Sequence, residues 1–272
     1  MPRILVDDFS KFVTALASSS PHGWHVVATN DGPPTDIITW HNEYGVCPSH
    51  PHYVVFFCEK PPPSGEETPG TSSLAVYDRL KKECPELLEQ SAKKVYTYKF
   101  HHTAVQTRGL VGGNGVFSPT AFGPVDESLP VEQQRKFTGG LDITHRVTGI
   151  RMHPTRNVPS YFNAMANRWA YANKYNTWEP PYTASKEDGT EQTFWPPMFS
   201  GMEEDKVIPK EWMDKAGEIQ NEFVSTVAWE AGNVMVIDNF AVQHARLPWE
   251  GHRTVLASFW DEPGLRGVPM NW

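Results

Sequence analysis

Residues 39–45, TWHNEYG, set His41 and Glu43 with one residue between them, flanked by a tryptophan and a tyrosine. Alone, such a pair is usually explained as a solvated turn. Far along the chain, WEAGNVMVIDNFAVQHAR places His244 just past an apolar run, and Arg253 opens the next apolar segment, RTVLASFWD. Two imidazoles and one carboxylate on one face of a metal ion are the donor set of a non-haem ferrous oxygenase, with three positions left open. The same three donors plus a water would also suit a zinc hydrolase. Arg253 offers a planar fork that holds a carboxylate through two parallel hydrogen bonds, which a lysine does less specifically.

Such a site needs elements that bring distant segments together. Residues 53–57 (YVVFF) are β-branched and aromatic without helical period and predict a buried strand. Residues 234–237 and 254–260 predict two more strands, with a turn at 231–233 between Trp229 and the first of them. PPPSGEETPGTSS, residues 61–73, predicts a loop. Leucines and tyrosines at helical spacing predict a helix over 74–94, which Pro85 restarts as a first-turn proline. Residues 158–178 and 210–229 also predict amphipathic helices. Residues 1–20 begin with a short helix-like stretch, and 108–149 is turn-rich with a weak strand signal at 143–150. Strands at both ends with helices inserted between them suggest a mainly β core, and in a rolled antiparallel sheet strands remote in sequence become neighbours.

The chain has 272 residues, 39% hydrophobic and 21% charged, enough for one sizeable core, so a single domain over 1–272 is expected. Its formal charge is −8, with no basic run to track a phosphate backbone, so nucleic acid is not an expected partner. Acidic residues stand where a secretory signal has its basic flank, and no apolar run approaches about 18 residues. A cytoplasmic protein with no membrane partner is expected. Three cysteines without a CxxC argue against a disulfide framework or a structural zinc site. The expected partner is a small molecule, and the sequence leaves room for a homo-oligomer.

Several separated blocks, in order, resemble the TauD/TfdA-like branch of Fe(II)/2-oxoglutarate-dependent dioxygenases, the group that includes taurine dioxygenase and clavaminate synthase. They are WHNE, FFCEKPPPSGEET, LAVYDRLKKECPELLEQ with VYTY after it, YFNAMANRW, and AGNVMVIDNFAVQHARLPWEGHRTVLASFWD, and they span residues 40–261. The resemblance implies a double-stranded β-helix (jelly-roll, cupin-like) core with inserted helices. It implies Fe(II) held by His41, Glu43 and His244, and 2-oxoglutarate held through its distal carboxylate by Arg253 with the hydroxyl of Thr68. With O2, 2-oxoglutarate would be converted to succinate and CO2 while a C–H bond of a small amino-acid-like or carboxylic metabolite is hydroxylated, desaturated or cyclised. Asn163, in YFNAMANRW, matches a block near the substrate; its other reading is a helix-surface amide. Thr68 read blandly is a hydroxyl that caps a turn.

Three features depart from the family pattern. Only 40 residues precede His41, so the N-terminal part is short: a trimmed domain, an incomplete chain, or one completed by a partner. The carboxylate is Glu where much of the family has Asp, a difference that clavaminate synthase-like members share. Ala257 stands where taurine dioxygenase-like members have a second arginine, which disfavours a sulfonate substrate. Besides the zinc hydrolase, a noncatalytic β-roll binding protein is the remaining alternative. His50, His52, His101, His102, His145 and His153 are assigned no metal, and Cys47, close after Glu43, reads as a small buried apolar group. Asp238 and Asn239 read as turn residues.

Overall fold

Two four-stranded antiparallel sheets face each other, and the chain crosses between them repeatedly. In the computed structural model, which describes residues 27–28, 34–35, 37–47, 50–65, 67–102, 141–186, 189 and 191–260, the first sheet runs Val27–Ala28, Thr254–Trp260, Tyr53–Lys60, Val234–Asp238. The second runs Ser225–Val227, Thr68–Ser72, Val242–Arg246, Ile38–His41. In chain order successive strands alternate between the sheets, except where Thr68–Ser72 and Ser225–Val227 are neighbours in the same sheet. Between those two strands the chain leaves the roll, and residues 73–222 supply four helices, a third four-stranded sheet and two short strand pairs among the described residues. This is a jelly roll with inserted helices, mainly β, as expected.

Alternation along the strands decides what faces the interior. Val54, Phe56 and Cys58 of one strand, Ile237 of a second, and Val255, Ala257 and Phe259 of a third are buried together with Trp229 inside the roll. On the second sheet His244 pairs directly with His41, and with Gly70 on its other side. A slip of Val242–Arg246 by one residue would turn His244 to the opposite face, away from His41. That opposite face carries Trp40 and Ala245, packed on Ala166 of the helix Met165–Tyr175. The larger apolar core lies among the inserted elements, around Leu80, Leu87, Tyr96, Tyr98, Tyr161, Met165 and Ile219.

The strands Tyr53–Lys60 and Thr254–Trp260 fall where the sequence places them, and Pro85 does restart a helix, Pro85–Lys93, after Ser73–Glu83. Three expectations are corrected. The segment expected as a loop over 61–73 contains the strand Thr68–Ser72. Its proline is tolerated because the ladder to Val242–Arg246 starts only at Gly70, so Pro69 has one strand neighbour, at Thr226. The helix expected over 158–178 begins at Met165, and Pro159–Tyr161 is a strand paired with Ile150–Met152. The helix expected over 210–229 stops at Glu222, and Ser225–Val227 joins the second sheet. In both cases the β-branched, aromatic or proline residues flanking the helix pair more readily than they coil. The expected N-terminal helix lies outside the described residues, as does most of 108–149, although the signal at 143–150 meets the strands Leu141–Val147 and Ile150–Met152.

Candidate functional site

The strand Ile38–His41 delivers His41 to the interior and then turns, with Tyr44 in left-handed backbone (φ 53°), so that Glu43 returns to the same side. Gly45 suits this turn, because a Cβ there would stand 3.0 Å from the Asn163 carbonyl carbon and the Asn42 carbonyl oxygen, closer than ordinary contact. His244 meets the pair from the next strand. Its Nε2 lies 3.3 Å from Glu43 Oε2, the Nε2 of His41 lies 3.8 Å from the same oxygen, and the two imidazole centroids are 4.2 Å apart. One donor atom from each residue falls within 4.8 Å of the others, and among the described residues these three are the group able to hold a metal ion. Phe56 walls the site from the first sheet, with its ring 5.3 Å from that of His244.

The protonation states suit a divalent cation. Burial, followed by the neighbouring His244, lowers the pKa of His41 to about 4, so its imidazole is neutral near pH 7. The His41 Nδ1–H donates to the Thr39 carbonyl at 2.8 Å, which leaves the Nε2 lone pair directed at the site. Thr39 is itself tied to the helix Met165–Tyr175, because its N–H and hydroxyl both donate to Asn167 Oδ1. Burial opposes ionisation of Glu43, but the hydrogen bond and charge of His244 and the charge of His41 outweigh it and hold the carboxyl below its ordinary range. The neutral imidazole of His41, the imidazole of His244 and a carboxylate on one side fit the facial donor set of a non-haem iron site. Cys47 is buried nearby, its thiol pushed up to about 11 by burial and by Glu43, so it is a protonated neighbour of the donors.

Arg253 precedes the strand Thr254–Trp260 and is 4% exposed. Burial lowers its pKa to about 10, which leaves it cationic at neutral pH. Its guanidinium lies 3.9 Å above the ring of Trp249, and Arg246 approaches the same ring at 4.7 Å. Trp249 is fixed by a short antiparallel pairing with Gly65, whose φ of +76° and closeness to the Pro248 carbonyl exclude a side chain. Thr68 is buried on the face of its strand that Gly70 shares, and its hydroxyl accepts from Trp229 Nε1 at 2.9 Å. Asn163 is 1% exposed; its side chain accepts from the Met165 N–H and donates to the Gly149 carbonyl, and its N–H donates to Asn42 Oδ1.

Behind the donors lies a buried amide network that sequence reasoning missed. Asn239 takes the Glu43 N–H on its Oδ1 at 2.7 Å and donates to the carbonyls of Glu43 (3.0 Å) and Pro51 (2.8 Å). Asn42 donates to the Asn239 carbonyl, and its Oδ1 accepts from Gln243. Gln243 in turn accepts from Gln220 at 2.6 Å, and the Gln220 carbonyl accepts from Thr71. The available signal was positional: Asn42 and Gln243 each adjoin a metal donor in sequence, and alternation sends them to the helix-covered face.

A model of the taurine catabolism dioxygenase TauD, TfdA family matches residues 8–260. A clavaminate synthase-like protein of Arabidopsis thaliana is 26% identical over 250 residues, covering 86% of this chain and 68% of the relative. Among solved structures, PvcB of Pseudomonas aeruginosa is similar with a TM-score of 0.52 at 12% identity, over 96% of this chain and 73% of that one. AAD-2, solved with Mn(II) and N-oxalylglycine, is similar with a TM-score of 0.50 at 15% identity, over 95% and 79%. These structural likenesses speak for the fold. The family match runs through both donor segments and the strands of both sheets, and the chain belongs to the TauD, TfdA family of dioxygenases.

Proposed function

We infer that the protein is a non-haem Fe(II)/2-oxoglutarate-dependent dioxygenase that oxidises a C–H bond of a small amino-acid-like or carboxylic metabolite. The observation that carries this reading is the convergence of His41, Glu43 and His244 on one point inside the roll, with donor atoms within 4.8 Å. The buried cation of Arg253, in the same family match, favours an oxygenase over a zinc hydrolase, which needs no such anchor for a dicarboxylate. The metal in AAD-2 and its oxalyl ligand support the same assignment by likeness. Bound together at the site, iron, 2-oxoglutarate and O2 would supply an oxidative decarboxylation to succinate and CO2 coupled to oxidation of the substrate.

The chain's own part is placement. His41, Glu43 and His244 would hold the metal from one side, with the tautomer of His41 set by Thr39. Arg253 would bind the distal carboxylate, its fork held flat by Trp249, with the Thr68 hydroxyl beside it as the resemblance implies. Phe56, Trp229 and Phe259 line an apolar interior that excludes water from the substrate side. The test is anaerobic addition of Fe(II) and then 2-oxoglutarate, followed by visible absorption, with Arg253→Ala alongside. A charge-transfer band that weakens in the variant is expected. A well-folded, metal-loaded protein with no band would rule the reading out.

A further inference from the structure

Around residues 162–168 two arginines stack on aromatic rings, with no acid beside them among the described residues. Arg151, on the strand Ile150–Met152, is 4% exposed, and its guanidinium carbon lies 5.1 Å over the ring of Phe162. Arg168, on the helix Met165–Tyr175, stands 4.5 Å over the ring of Phe100. Among the described residues no carboxylate lies within ion-pair distance of either guanidinium, and the Nε of Arg151 has no hydrogen-bond partner. Tyr98, fully buried two residues before Phe100 on the same strand, has a hydroxyl that feels the charge of both. That hydroxyl accepts the Ala164 N–H at 3.0 Å, which leaves its own proton to donate. Burial lowers each arginine to about 10, so both keep their charge near pH 7.

A buried charge without a counter-charge is costly, and aromatic faces offset it only in part. Two guanidiniums and a phenol gathered around Phe162, Ala164 and Phe100 make a donor array matched to an oxyanion. The array is distinct from the Arg253 pocket. Phe162 packs on Phe240 (5.2 Å), which lies just beyond Asp238, and Asp238 pairs with Tyr53 at one end of an eight-residue strand. Arg253 adjoins Thr254, which pairs with Lys60 at the other end, about 23 Å away at 3.3 Å per residue. We propose that Arg151, Arg168 and Tyr98 form a second anion-binding pocket that takes an oxyanion group, carboxylate or phosphate, of a small metabolite.

The pocket does not depend on iron, so it is tested on the metal-free, full-length protein by thermal melting at constant ionic strength. Succinate and inorganic phosphate are the probes, and the proteins are the wild type, Arg151→Met, Arg168→Met and Arg253→Met. At tenfold excess over Kd, one or both anions raise the wild-type Tm by about 3 °C or more. That rise disappears in Arg151→Met and in Arg168→Met and persists in Arg253→Met, and whichever anion acts names the group. Without anion, Arg151→Met melts at or above the wild type, because an unpaired buried charge has been removed; a purely structural arginine would instead lower the Tm. If Arg151→Met does not fold, Arg168→Met decides alone. No rise in the wild type, a rise that survives in the arginine variants of the pocket, or one lost only in Arg253→Met overturns the proposal.

Discussion

Replacing Asn239 with alanine separates the metal donors from the frame that holds them. The side chain is fully buried and makes three hydrogen bonds, two of them to the backbone of Glu43 and one to that of Pro51. Alanine leaves one N–H and two carbonyls without these partners. At about 1–3 kcal/mol for each buried group left unsatisfied, discounted because Glu43 is partly exposed, the fold should lose about 3–5 kcal/mol. Against a total of about 5–15 kcal/mol that is a large fraction, but it can leave a folded protein at low temperature. The Glu43 carboxylate would lose its fixed direction, and metal affinity should fall by about 10–100-fold, as when groups that orient a ligand are removed. Urea titration gives the first quantity and calorimetric titration with Fe(II) or Mn(II) the second. Asn239→Asp keeps an acceptor for the Glu43 N–H but sets carboxylate oxygens against two carbonyls, so it should not restore affinity. An Asn239→Ala protein with unchanged metal affinity and a stability within about 0.5 kcal/mol of the wild type would refute the positioning role.

Two further substitutions divide the site into its parts. His244→Ala should abolish ferrous binding while circular dichroism shows the fold retained; undiminished ferrous affinity would remove His244 from the site. Trp249→Ala takes away the aromatic face under Arg253 and Arg246 and should weaken 2-oxoglutarate binding by about tenfold, from a desolvated cation–π contact worth about 1–2 kcal/mol, with metal affinity unchanged. Equal losses of metal and 2-oxoglutarate affinity would mean that Trp249 supports the roll rather than the arginine.

The parts of the fold legible in the sequence are those where local preference and burial agree. Residues 53–60 and 254–260 combine β-branched and aromatic residues with one buried face, and the structure pairs them over seven positions. The segments misread are those where a partner decides. Thr68–Ser72 contains proline and glycine, yet it is a strand because Gly70 must lie flat against His244 and Ser225. Val242–Arg246 carries Gln, His and Arg and so has no strand signal of its own, although Gln243 and His244 are buried. Its inward positions serve the metal donors and its outward ones the amide network, so no apolar alternation marks it. The donors themselves were legible from residue type and order, while Asn42, Asn239 and Gln243 are ordinary amides until the structure shows whose backbone they hold.

The second sheet thus has two chemically different faces, and the insertion of residues 73–222 explains why the outer one carries amides beside the apolar contact of Trp40 and Ala245 with Ala166. Jelly-roll strands with an apolar outer face would pack on helices through side-chain volume alone, which tolerates small shifts in register. Here the helix Lys210–Glu222 reaches the back of the metal-bearing strand through Gln220 and Gln243, while Trp40 donates to Asn221 of the same helix. Hydrogen bonds of 2.6–3.1 Å fix distance as well as contact, so the spacing between the His41 turn and the His244 strand is set from outside the roll. It follows that Gln220→Leu, about equal in volume but unable to donate, should perturb the donors without touching them. It leaves Gln243 Oε1 buried without this donor, a cost of about 1–3 kcal/mol. If the spacing is set this way, the electron paramagnetic resonance spectrum of the Mn(II)-loaded variant should broaden; if helix volume alone supports the sheet, stability changes and the spectrum does not.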